Sequence, residues 1–206
     1  MLTRIAVFVS GGGTNLQALI DAQKRGDLPS GELALVVSSK SGAYALTRAQ
    51  ENGIPFETAS RRECSSQAAF EMRLSALLEK YRIELVVLAG FMSILSAAFT
   101  ARWPRRILNV HPSLIPSFCG EGFYGLRVHE AALQYGVKVT GATVHFVNEI
   151  PDGGEIILQK AVDIRPGDTP ETLQERVMRE AEWKLLPAAT ELVSYEILAE
   201  KSVPKT

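Results

Sequence analysis

Cysteine is nearly absent from this chain: Cys64 and Cys119 are the only two in 206 residues. They form no metal-ligand spacing, so both read as ordinary reduced thiols rather than as a disulfide or zinc framework. Histidine is also scarce, and any imidazole chemistry must come from His111, His129 or His145. A charge of one dominant sign is missing too. The 22 Lys and Arg against 23 Asp and Glu leave a formal net charge of -1, which gives no broad field to attract nucleic acid or an anionic membrane. Long apolar runs are lacking: the early one, residues 5–9, is too short for a signal-peptide core, and nothing later approaches the ~18 residues of a membrane span. The expectation is a cytoplasmic protein that handles small molecules.

What is present is a rhythm. Strand-length apolar runs at residues 4–9, 33–38, 85–89 and 107–110 alternate with helix-length segments of 3.6-residue periodicity. This predicts a single α/β domain, with a mostly parallel twisted sheet, helices on both faces and a Rossmann-like N-terminal half. Residues 55–58 offer a short extra strand. After Pro116 the pattern changes. Residues 117–125 are rich in glycine and aromatics and read as a long loop, followed by a helix over 127–135. Residues 138–147 and 155–161 then read as strands able to pair antiparallel across 148–154. A last helix is predicted after Asp168-Thr169-Pro170-Glu171, where Thr169 caps and Pro170 suits the first helical position. The tail, residues 201–206, is expected to fray.

Three segments carry chemistry. Ser10-Gly11-Gly12-Gly13-Thr14-Asn15-Leu16-Gln17 follows the first strand and opens a helix. Its glycines let backbone approach an oxyanion, and the helix N-terminus supplies free N–H groups and about half a positive charge. It lacks the Gly-Lys-Ser/Thr ending of a Walker loop and the third glycine of a dinucleotide fingerprint, so a simple phosphate is the expected guest. Asn109-Val110-His111-Pro112-Ser113-Leu114 ends a strand, and residues two apart on a strand share a face. Asn109 and His111 therefore project together, an amide donor beside an imidazole, while an ordinary turn cap is the plain alternative for such a motif. Asp152, in Ile150-Pro151-Asp152-Gly153-Gly154, reads first as a turn aspartate. Brought to the same sheet edge as His111, its carboxylate would favour the protonated imidazole. His145 shares a strand face with Thr143 and either lines that cleft or sits half-buried and satisfied. His129, opening a helix, is expected to be solvated or to cap. Gly90 allows close backbone approach, and Met92, Ile94 and Leu95 either fill core or wall a pocket for a flat heterocycle. No metal-ligand spacing or nucleophile–base motif supports metal or acyl-enzyme hydrolysis.

In this order, the glycine segment, Leu88-Ala89-Gly90-Phe91-Met92, Asn109-Val110-His111-Pro112-Ser113-Leu114-Ile115-Pro116 and Asp152-Gly153-Gly154 resemble the folate-dependent glycinamide ribonucleotide transformylases. The Asn-x-His-Pro-Ser-Leu-x-Pro block is shared by formyltetrahydrofolate enzymes in general. The early glycine loop and the single-domain length point to this member. The resemblance implies formyl transfer from 10-formyltetrahydrofolate, without a metal, to glycinamide ribonucleotide, a step of de novo purine biosynthesis, by a monomer or homodimer. It implies a formyltransferase domain over residues 1–200, with a phosphate-binding half of about 1–105 and a catalytic and folate-binding half of about 106–200. Asn109, His111 and Asp152 would be catalytic. Gly11, Gly12, Gly13, Thr14, Asn15, Gly90 and Glu182 would contact the ribonucleotide, and Gln67, Met92, Ser93, Ile94, Leu95 and Asn109 the reduced folate. Gln67 stands where many members place an arginine, and residues 117–125 form a loop longer than the family's usual one. A deformylase that passes the formyl group to water, or a non-catalytic nucleotide-binding module, are the competing expectations.

Overall fold

The computed structural model describes residues 1–202. One seven-stranded sheet runs in the order β3-β2-β1-β4-β5-β6-β7. Its strands are β1 (Thr3–Val9), β2 (Gly31–Ser38), β3 (Phe56–Thr58), β4 (Leu85–Leu88), β5 (Ile107–His111), β6 (Val139–Phe146) and β7 (Ile156–Asp163). The first five pair in parallel, whereas β6 runs antiparallel to both β5 and β7. The predicted class is thus the observed one, including the antiparallel pair at the C-terminal side. The single sheet passes without interruption through the boundary near residue 105.

The helices are α1 (Thr14–Arg25), α2 (Tyr44–Glu51), α3 (Gln67–Lys80), α4 (Ala97–Thr100), α5 (Leu126–Tyr135), α6 (Pro170–Val177) and α7 (Trp183–Ser202). Alternation along β1 explains the layers. Ile5, Val7 and Val9 meet α1, α2, α6 and α7 on one face, while Ala6 and Phe8 meet Phe70, Leu74 and Leu78 of α3 and Phe99 of α4 on the other. Burial on both faces is why these strands read as nearly continuous apolar runs. The strand order reverses direction between β1 and β4, and their carboxyl ends leave a crevice there, the usual ligand position in an open α/β sheet.

The helix ends follow their sequence signals with one informative exception. Thr169 caps α6 through its side chain, with Pro170 at the first turn, as its sequence predicts. α1 instead begins after Gly13 in a left-handed conformation, with no capping side chain and no acidic residue in its first turn. Its leading N–H groups are left for something else to satisfy. Between α6 and α7 the chain makes a π-helical turn, Met178–Glu182. The frayed tail is corrected in part: Lys201 and Ser202 complete α7, and Lys201 Nζ bonds Glu84 at 2.7 Å, while 203–206 lie outside the described residues.

His129 is a second correction. It is neither solvated nor a cap but fully buried in α5, with no hydrogen-bond partner at either ring nitrogen among the described residues. The helical spacing of Val128 and Ala132, buried on the same helix, draws this turn into the interior. Burial, with a smaller contribution from the charge of His111, pushes its pKa down to about 4. Because the unfolded chain then binds the proton more readily, stability contributed by neutral His129 is intact above pH 6.5 and falls as pH drops toward 4. From urea unfolding at pH 7 and pH 5, the protein should lose about 2 kcal/mol more than His129→Asn does over that interval; equal losses would refute the buried neutral imidazole.

Candidate active site

The antiparallel register of β5 and β6 sets Asn109 opposite His145 and His111 opposite Thr143. Directly paired residues share a sheet face, so these four side chains emerge together, while Leu108, Val110 and Val144 pack into the core on the other face. The turn between β6 and β7 then carries Asp152 over this group. Asp152 has φ 55°, a left-handed conformation that aspartate tolerates better than most residues. Gly154 follows closely against β6, where an added Cβ would lie 1.7 Å from the Phe146 carbonyl oxygen.

The distances are those of one cluster. Asp152 Oδ2 lies 3.4 Å from His111 Nδ1, and Asp152 Oδ1 lies 3.5 Å from His145 Nε2. Asn109 Nδ2 donates to Asp152 Oδ1 at 3.4 Å and contacts His145 Nε2 at 3.2 Å. His145 Nδ1 lies 2.8 Å from the carbonyl of Phe146, which can only accept; this assigns a proton to Nδ1 and turns Nε2 toward Asn109 and Asp152. Burial pushes the Asp152 carboxyl up. The hydrogen bond with His145, the charge of His111 and the N–H of Gly120 together outweigh it and hold the carboxyl below its ordinary value. A carboxylate kept ionised in a partly buried site is a stable neighbour for an imidazolium.

Residues 117–125 contribute directly, which their sequence alone gave no means of seeing. The Phe118 carbonyl lies 2.8 Å from His111 Nε2, and Gly120 N donates to Asp152 Oδ2 at 2.9 Å. His111 thus faces an acceptor at each nitrogen, a setting that suits its doubly protonated form. Phe118 is seated edge-on against Phe123 and Tyr135. Cys119 donates to the Pro116 carbonyl at 3.3 Å, and burial, aided by the charge of Asp152, pushes its thiol up; it is a thiol here, not a thiolate. Thr143 Oγ1 ties the turn after β5 by donating to the Ser113 carbonyl at 2.7 Å and accepting from Ile115 N at 3.1 Å. His145 and this loop are the parts of the site that the reading of sequence underweighted. A pairing register is the signal that places His145.

The other candidates fall around the same crevice. Ser10 Oγ accepts from Met92 N at 2.8 Å, joining the glycine loop to the connection after β4. That connection starts at Gly90, with φ 74°, and leaves Met92 and Ile94 exposed by 57% and 82%, an apolar strip rather than core. Gln67 donates to the Ile94 carbonyl at 3.0 Å and to Glu71 at 2.7 Å, while Glu71 accepts from the Ser96 backbone at 2.7 Å and from its hydroxyl at 2.6 Å. Gln67 therefore props the strip beside Ser93, while Leu95 is half-buried and packs against the core on the α3 face. Glu182 is buried at the end of the π-helical turn and accepts from Asn15 Nδ2 at 2.7 Å. Burial, partly offset by that bond, pushes its carboxyl up. Asn15 Oδ1 and the Trp183 indole nitrogen are buried nearby without partners among the described residues. No group of three or more His, Cys, Asp or Glu among the described residues is arranged to hold a metal ion, and no helix of these residues is long and apolar enough to cross a membrane.

Comparison with known proteins points the same way as this geometry. The model of the formyl transferase family matches residues 3–190. A phosphoribosylglycinamide formyltransferase of Haemophilus influenzae is 41% identical over 186 residues, covering 90% of this chain and 84% of that protein. The trifunctional purine biosynthetic protein adenosine-3 of Gallus gallus is 46% identical over 191 residues; the match takes in 93% of this chain and only 18% of that much longer protein. Among solved structures, glycinamide ribonucleotide transformylase 1 from Symbiobacterium toebii superposes with a TM-score of 0.88 at 40% identity, covering 95% of this chain and 89% of the other. A sheet edge that gathers an amide, two imidazoles and a carboxylate, and a sequence matched along nearly its whole length, lead to one assignment: the chain belongs to the formyl transferase family.

Proposed function

We propose that this protein transfers the formyl group of 10-formyltetrahydrofolate to the primary amine of glycinamide ribonucleotide, in keeping with relatives of similar length named phosphoribosylglycinamide formyltransferase and glycinamide ribonucleotide transformylase. The observation that carries the reading is Asp152 poised 3.4 Å from both His111 Nδ1 and Asn109 Nδ2, at the carboxyl edge that also holds the glycine loop and the apolar strip. The amine attacks the formyl carbon, a C–N bond forms, and the former carbonyl oxygen takes up negative charge. Asn109 and protonated His111 are the donors to that oxyanion. As the bond to the folate nitrogen breaks, a proton lost by the attacking amine ends on that leaving nitrogen. Asp152 keeps the imidazole charged and accepts the proton in transit. No covalent enzyme intermediate is needed.

The His111 N–H that faces the Phe118 carbonyl must exchange that acceptor for the formyl oxygen, a tightening typical of catalytic hydrogen bonds once substrate binds. His145 contributes by fixing the Asn109 amide. The strip of Met92, Ser93, Ile94 and Leu95 suits the flat apolar ring system of a reduced folate. Gly11, Gly12, Gly13, Thr14 and Asn15 suit the nucleotide's phosphate, and buried Glu182 its polar groups. Gly90 opens the floor between the two. Loss of 10-formyltetrahydrofolate measured with and without glycinamide ribonucleotide tests the reading: transfer should require the ribonucleotide, and release of formate in its absence would favour a deformylase.

Asp152→Asn should lower kcat by about 100-fold or more, the scale for a lost electrostatic partner of an oxyanion donor, with the KM for the ribonucleotide changed little. Equal effects on turnover and on nucleotide affinity would contradict the assignment. At the glycine loop, an added Cβ on Gly12 meets no protein atom within 4 Å, whereas one on Gly13 would lie 2.7 Å from Ala45 Cβ at φ 73°. Gly12→Val should therefore fold with an almost unchanged melting temperature yet raise the ribonucleotide KM, while Gly13→Val should lose stability outright. An unaltered KM in Gly12→Val would remove the loop's part in binding phosphate.

A further inference from the structure

α2 grips the glycine loop by its carbonyls. Ala45 N donates to the Gly11 carbonyl at 3.1 Å, and Arg48 Nε donates to the Gly12 carbonyl at 2.9 Å. In a trans peptide the C=O and the following N–H point in opposite directions. Two successive carbonyls drawn toward α2 therefore turn the N–H groups of Gly12 and Gly13 away from it, toward the side where α1 opens uncapped.

Arg48 is more than a prop for backbone. Its Nη1 donates to Gln17 Oε1 at 2.8 Å, and its guanidinium carbon lies 5.0 Å from the centre of the Tyr44 ring. The side chain is half-buried. Among the described residues it has no carboxylate partner within 4.0 Å. A guanidinium has five N–H donors, and the contacts above use two. Arg48 also shares the wall of a cavity of about 280 Å³ with Thr14, Gln17, Asp21, Arg25 and Trp183; Asp21 accepts from Gln17 and Arg25 is paired with Asp27, and the Trp183 indole N–H is buried without an acceptor among the described residues. A phosphate monoester carries close to two negative charges, while a helix N-terminus offers only about half a positive one. The imbalance calls for a fixed cation beside the loop.

We infer that Arg48 is the phosphate-recognition residue of this site, neutralising a phosphate monoester with its free N–H groups while holding the Gly12 carbonyl so that the loop's own donors face the same oxygens. This rests on the proposed function for the identity of the phosphate's carrier, but not for the charge and geometry of Arg48.

The test compares Arg48→Met and Arg48→Lys with the unmodified protein. Arg48→Met should raise the KM for glycinamide ribonucleotide roughly tenfold to a hundredfold, the scale of a lost charge-assisted hydrogen bond, with kcat within about threefold, because the residue acts on binding and not on the oxyanion. Activity toward the dephosphorylated glycinamide riboside should stay as it is, inhibition by inorganic phosphate should weaken by a similar factor, and Arg48→Lys should restore part of the loss. An equal loss with ribonucleotide and riboside would reduce Arg48 to a scaffold for the loop and overturn the inference, as would an unchanged KM. Calorimetry with inorganic phosphate alone keeps the two questions apart: if the unmodified protein moved no formyl group, the functional reading would fail, and phosphate affinity lost in Arg48→Met would still uphold Arg48.

Discussion

A carboxylate held ionised away from bulk water is the constraint on which the site depends. Burial alone would push the Asp152 carboxyl up, and what offsets this is a ring of groups from three separate stretches: Asn109 and His111 on β5, His145 on β6, and Gly120 in the loop after β5. Three devices place them. Strand alternation aims the first two, cross-strand register brings the third, and the aromatic contacts of Phe118 with Phe123 and Tyr135 accompany the fourth. Removing any one leaves buried charge less well matched, which is why such networks act as units.

The two ends of the crevice are built by contrasting means. At the proposed catalytic end, side chains satisfy one another almost completely. At the glycine loop, polar groups are left over: α1 has no capping side chain, and among the described residues the Asn15 Oδ1 acceptor and the Trp183 indole N–H donor lack partners. Buried polar groups without partners are rare in folded proteins, so two of them beside an uncapped helix support the proposal that a ligand binds there.

Much of this was legible in the sequence because it rests on local rules. The parallel strands announced themselves as apolar runs, the cap of α6 as Thr169-Pro170, and the Asn109 and His111 pair as residues two apart before a proline. What escaped depends on distant pairing. The place of His145 follows only once Asn109 is known to lie opposite it, and neither the Phe118 carbonyl nor the Gly120 N–H belongs to a side chain that a motif can display. His129 differs from expectation for a related reason: a polar residue at the start of a helix usually meets water, and here α5 packs against α6 with Val128, His129 and Ala132 buried. The grip of α2 on the glycine loop was equally hidden, since it joins segments 34 and 36 residues apart and ends on loop carbonyls that no motif displays.

The π-helical turn at Met178–Glu182 has a consequence for how this part of the chain tolerates change in length. An α-helix advances about 100° per residue, so the wider turn puts α6 and α7 out of phase, and it is this offset that presents Glu182 to Asn15. Substitutions along 178–182 leave the phase alone. A one-residue deletion that let the helix close into regular α geometry would swing the carboxylate roughly a quarter of a revolution off its partner, so the segment is constrained in its number of residues before it is constrained in their kind.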